Sequence, residues 1–159
     1  MKIKKFFVTL VVLFFIIIFD VLFSKLCPFY LRPNLWLVYI TFVALFLNHT
    51  EAVIVGFVSG LIYDVLHLTL FGINTFLLTT TGYLLGWLNK HVNESLYKVQ
   101  MLSILLSCIV YNTLYFLISQ LFNTTKYNFL ILLSVFSTFI VGFLALQILV
   151  MLYKKHNLI

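Results

Sequence analysis

The sequence predicts an all-α integral membrane protein, a bundle of about six transmembrane helices, and three observations point to it. Of 159 residues, 64% are hydrophobic and only 9% charged. Mean hydropathy is +1.16. The basic residues lie singly or in short clusters beside apolar runs. A soluble domain of this length has no core large enough to hide so much apolar surface, so most of it must meet lipid. At roughly 20 apolar residues per span, helices and short turns use up the chain. The expected organisation is one polytopic membrane domain over 1–159, with no room for a soluble enzyme domain or a nucleotide-binding module. The net charge of +6 is placed as lysine and arginine are when they set membrane topology, so nucleic acid is not an expected partner.

Residues 6–23 follow the basic start MKIKK. A signal peptide opens the same way. The following SKLCPFYLRP has no small-x-small cleavage site, however, and the run is long enough to span, so a retained helix is expected. Residues 33–47 open on Pro33, whose missing N–H is harmless in a first helical turn. This second run is short: it either crosses with little tilt or reaches only partway, which would leave five spans. The third run covers 52–70 and the fourth 73–88. After the polar NKHVNESLYK come runs at 101–122 and 129–152.

With the N-terminus in the cytoplasm, Lys2, Lys4, Lys5, Lys90, Lys98, Lys154 and Lys155 lie inside, and Lys25, Arg32 and Lys126 outside. This agrees with the positive-inside rule and puts both termini in the cytoplasm. Trp36, Trp87, Tyr30, Tyr97 and Tyr153 fall near the expected interfaces, where amphipathic rings belong.

The third run carries an acid. At about 100° per residue, Gly56, Gly60, Asp64 and His67 share one stripe, within about 80° of one another. Gly56 and Gly60 have the GxxxG spacing that lets a second helix approach closely, and Gly82 and Gly86 repeat it in the fourth run. Asp64 is therefore expected to face the bundle or a water-filled cleft. Asp64 sits about 13 residues, or roughly 20 Å, into its helix and so in the outer half of the membrane. Asp20 reaches a similar level. Intramembrane acids find partners, here Lys25 and Arg32 or buried hydroxyls and amides. The readings open for Asp64 are a structural pair, a partner-docking or helix-positioning site, and a proton or substrate site. His67 is expected to cap or hydrogen-bond at its helix end, and Asn112 and Gln147 to bond between helices. Cys108 is expected to pack. Cys27, near a surface, has no metal-like spacing to a second ligand.

Catalysis finds little support. Phe57 stands where a rhomboid-like serine site at Ser59 would need glycine, and no GxGD accompanies Tyr63-Asp64. Asp20 and Asp64 could imitate the aspartate pair of a lipoprotein signal peptidase, in which one acid stays protonated beside the other. The asparagine- and alanine-rich surroundings of that family are missing. No catalytic, cofactor or metal site is expected.

Residues 32–82 carry a more specific pattern: Arg32-Pro33-Asn34-Leu35 opening a span, then Gly56, Gly60-Leu61, Asp64 and Gly72, and an apolar run to Gly82-Tyr83. This resembles the rod shape-determining MreD family, and length, span number and basic N-terminus fit over nearly the whole chain. Asn34 departs from the acid such sequences often carry there. The resemblance implies a non-catalytic inner-membrane component of the bacterial rod complex, or elongasome. It would bind a bitopic MreC-like protein and, indirectly, MreB, RodA and a class B penicillin-binding transpeptidase, supporting lateral peptidoglycan synthesis. Partner-binding or helix-packing residues would be Arg32, Pro33, Gly56, Gly60, Asp64, His67, Gly72, Gly82 and Gly86. The family also resembles in fold the S-components of energy-coupling-factor transporters. The alternative is thus a vitamin-binding subunit, with Asp20, Asp64, His67 and Asn74 as its sparse lining.

Overall fold

In the computed structural model, residues 2–26, 28, 31–67, 72–89, 97–121 and 131–155 are described. Six helices follow in order: α1 (Lys2–Leu26), α2 (Leu35–Phe46), α3 (His49–His67), α4 (Ile73–Asn89), α5 (Tyr97–Leu121) and α6 (Ile131–Lys155). Each coincides with one apolar run, because backbone polar groups surrounded by lipid must be paired within their own segment. Several helices outrun the apolar stretch. α1 begins at Lys2 and α5 at Tyr97, both ahead of the apolar runs. Cys27, Tyr30, Lys90 and Lys126 lie outside the described residues.

α2 starts later than the sequence suggests. Asn34 is its N-cap, with Oδ1 accepting the Leu37 N–H at 3.1 Å. Pro33 therefore precedes the cap and is not in the first turn. An asparagine carbonyl can satisfy an orphan N–H of the first turn, so it fixes the start more firmly than the proline does. Of the twelve residues of α2, the ten from Trp36 to Leu45 are buried. A helix that is apolar on every side belongs inside a protein, and α2 packs against each of the other five. Among the described residues, three helical segments are long and apolar enough to cross a membrane: His49–His67, Tyr97–Leu121 and Leu133–Lys154. α2 is a shorter apolar helix. The outward faces of the bundle are apolar, with Phe14, Ile54, Val65, Phe76, Leu102, Phe136 and Met151 all exposed, as lipid requires.

α3 and α4 form the closest pair. A Cβ on Gly60 would collide with the Thr75 backbone, and one on Gly56 would stand 2.8 Å from the Leu78 carbonyl oxygen. In the other direction, a Cβ on Gly82 would lie 2.7 Å from the Ala52 oxygen and one on Gly86 2.7 Å from His49 Nδ1. The two GxxxG spacings thus face each other's helix along an antiparallel seam. Small residues at such a seam give van der Waals contact where lipid supplies no hydrophobic drive.

Candidate functional site

Polar side chains gather at the end of the bundle where α1 and α3 finish and α2 and α4 begin. Asp64, only 1% exposed, leaves α3 one turn before its end and meets the start of α4. Its Oδ1 accepts from the backbone N–H of Asn74 at 3.2 Å and from Asn74 Nδ2 at 2.9 Å. Its Oδ2 accepts from the N–H of Gly72 at 3.0 Å, the N–H of Thr75 at 3.0 Å and the Thr75 hydroxyl at 2.7 Å. The three backbone N–H groups among them are orphan donors at a helix N-terminus, where the macrodipole also favours a negative charge. Five donors on two oxygens leave the carboxylate nothing to do but accept. Gly72, with φ +98°, lets the chain turn into α4 and has no side-chain oxygen to cap it. Asp64 performs that role from the neighbouring helix. Asn74 Oδ1 then accepts from the Tyr111 hydroxyl at 2.7 Å, so α3, α4 and α5 are tied in one hydrogen-bonded chain.

The second cluster joins α1, the segment before α2 and α3. Arg32 Nη2 donates to Asp20 Oδ1 at 2.6 Å, to the Asp20 carbonyl at 3.3 Å and to His67 Nε2 at 2.6 Å. Asp20 is 2% exposed. An arginine cannot accept a hydrogen bond, so Nε2 carries the lone pair. The ring proton is then on Nδ1, which faces the Tyr63 carbonyl at 3.2 Å; this tautomer follows from the bonding pattern. The imidazole stacks on Tyr63, with centroids 4.1 Å apart and planes at 18°, and Trp36 meets Tyr63 edge-on at 6.1 Å. Between these clusters lies a cleft of about 130 Å³, lined by Asp20, Arg32, Pro33, Asn34, Tyr63, Asn74, Tyr111 and Tyr115 among others.

The sequence-derived candidates divide between the two features. Gly56, Gly60, Gly82 and Gly86 lie in the α3–α4 seam. Asp64 and Gly72 form the α4 cap. Arg32 and His67 join Asp20, and Pro33 lines the cleft. Of the two bases offered to the acids, Arg32 meets Asp20, while Asp64 is served by amides and a hydroxyl. The two aspartates therefore have separate partners and do not form a proton-sharing pair. Gln147 does bond across helices, donating to Gln100 Oε1 at 2.7 Å. Asn112 instead donates to the Cys108 carbonyl in its own helix at 2.8 Å, because one turn below it a carbonyl is always within reach. Cys108 is buried and free. Among the described residues there is no group of three or more metal-ligating side chains. Thr75 and Tyr111 were not legible as site residues. A threonine or tyrosine in an apolar run has no signature until the helix facing it is known.

The architecture is that of a polytopic helical membrane protein whose polar groups are spent on joining helices. The family model described as rod shape-determining protein MreD matches residues 1–156. The chain belongs to the MreD family, and membership carries a role in rod shape determination. Proteins of this family are in general not enzymes. No curated protein and no solved structure matches the chain.

Proposed function

We propose that this protein is a non-catalytic scaffold of the rod complex, holding an MreC-like bitopic partner in the cytoplasmic membrane. Through that partner it supports MreB, RodA and a class B penicillin-binding transpeptidase in lateral peptidoglycan synthesis. In this reading all six helices belong to the membrane, both termini are cytoplasmic, and the Asp20 end faces outward. The observation that carries it is the use of Asp64. The buried acid of the GxxxG helix places both oxygens on the N-terminus of α4, which is an assembly task, and the family match covers residues 1–156. The partner segment would meet the rim of the cleft near Arg32, Pro33 and Tyr115, on a platform that the α3–α4 seam makes rigid.

The S-component-like alternative needs a pocket for a whole vitamin. Small-molecule sites enclose roughly 300–1,000 Å³, whereas a dry cavity of about 150 Å³ holds one benzene. The cleft, at about 130 Å³, suits a single side chain better than a vitamin. The deciding experiment is depletion in the native rod-shaped cell, with microscopy and affinity purification of the tagged protein. Rounding cells and recovery of an MreC-like partner are expected. Normal rods with a new vitamin requirement would overturn the scaffold.

A further inference from the structure

We propose that Asp20, Arg32 and His67 form a proton-binding site in which taking up one proton on His67 exchanges the partner of Asp20. This goes beyond the scaffold role and needs no partner protein. The hydrogen bonds open to these three side chains cannot all be made at once. Arg32 Nη2 has two hydrogens, taken by its two short contacts with Asp20 Oδ1 and His67 Nε2, both 2.6 Å, while the 3.3 Å contact with the Asp20 carbonyl shares one of them. Asp20 Oδ2 remains, buried and with no hydrogen-bond partner among the described residues. The nearest group able to serve it is His67 Nε2 at 3.3 Å, whose lone pair is already taken by Arg32. A buried acceptor left without a donor is costly, and more so when it is charged.

One proton from solvent resolves the conflict. His67 is 19% exposed and is the last residue of α3, at the end that the proposed topology sets towards the outer surface. A proton on Nε2 turns that atom into a donor, and a movement of a few tenths of an ångström brings it to Asp20 Oδ2 as a charge-assisted bond. The same proton removes the acceptor for Arg32 and sets two cations side by side. Two cations on one buried carboxylate leave an uncompensated charge, so Arg32, already 13% exposed, moves outward. The neutral state holds α1 to the segment before α2 through Arg32, and the protonated state holds α1 directly to α3. The other groups facing the ring do not compete. Tyr63 stacks on it, Asp64 is committed to α4, Tyr111 of α5 donates to Asn74, and Lys25 of α1 is exposed. α2 and α4 bring no charged side chain to this end.

The test uses the full-length protein in lipid nanodiscs with nitrogen-15-labelled histidine and arginine. Arg32 is the sole arginine of the chain, so its guanidinium gives one set of signals, and a His67→Asn spectrum identifies His67 among the four histidines. Near pH 8, His67 should be the Nδ1–H tautomer and the Arg32 Nη signals should be resolved, as for a held side chain. On acidification to the point where the ring is imidazolium, the Arg32 signals should average. An Nε2–H tautomer near pH 8, or Arg32 signals unchanged while His67 titrates, overturns the exchange. Both readings come from the unmodified protein, so a variant that fails to fold does not leave the question open.

Discussion

Asp64 shows how one residue can be expensive and still stabilising. An acid in the hydrocarbon region costs a few kcal/mol or more, and here that cost is offset by donors that would otherwise be orphans at the start of α4. Asp64→Ala strands those donors, and the expected loss is about 1–3 kcal/mol, the penalty for a buried donor left unsatisfied. Asp64→Asn keeps one acceptor oxygen and should lose about half as much. Thermal melting of the purified variants in detergent ranks them, and an alanine variant that melts like the parent would refute the cap. Tyr111→Phe removes one uncharged bond and should cost only about 0.6–1 kcal/mol.

Among the helices, the α3–α4 pair and α2 obey different rules. The seam depends on the absence of side chains, so Gly60→Leu drives a side chain into the Thr75 backbone. Overpacking of this kind costs about 1–3 kcal/mol. The melting temperature should drop even without a partner, and a partner lost at an unchanged melting temperature would instead assign Gly60 to the docking surface. α2 depends on its cap: Asn34→Ala should cost about 0.5–2 kcal/mol, seen as faster amide exchange over residues 35–38. The six elements could be read from hydropathy because runs of apolar residues leave backbone no choice but to pair locally. The common stripe of Gly56, Gly60 and Asp64 could be read from the 3.6-residue period. What Asp64 touches could not, since Asn74 and Thr75 are ordinary residues of an apolar run until α4 is laid antiparallel on α3. Pro33 misled by one position or two, because the neighbouring asparagine supplies the capping oxygen.

At the scale of the whole molecule, the bundle is held by polar bonds at its Asp20 end and by the glycine seam along α3 and α4. Further along, α5 and α6 are joined by the Gln100–Gln147 pair. α1 is the least embraced helix, packed chiefly on α2 and fastened by Asp20. Asp20→Ala is therefore expected to loosen α1 selectively. Hydrogen exchange or protease nicking over residues 8–26 should increase several-fold while α3 and α4 stay protected, and uniform loosening of all six helices would count against this hierarchy. The orientation proposed above predicts that reporters fused to either terminus remain on the cytoplasmic side, whereas a label on a cysteine introduced at Lys25 is reached from outside.

The shortness of α2 has a bearing on biogenesis. Twelve residues extend about 18 Å, well below the roughly 30 Å of a hydrocarbon slab. Such a segment is a poor substrate for independent insertion. It is also buried along most of its length by helices synthesised after it. Its final seat exists only once α5 and α6 have left the ribosome, so the centre of this protein is completed last, from material translated early.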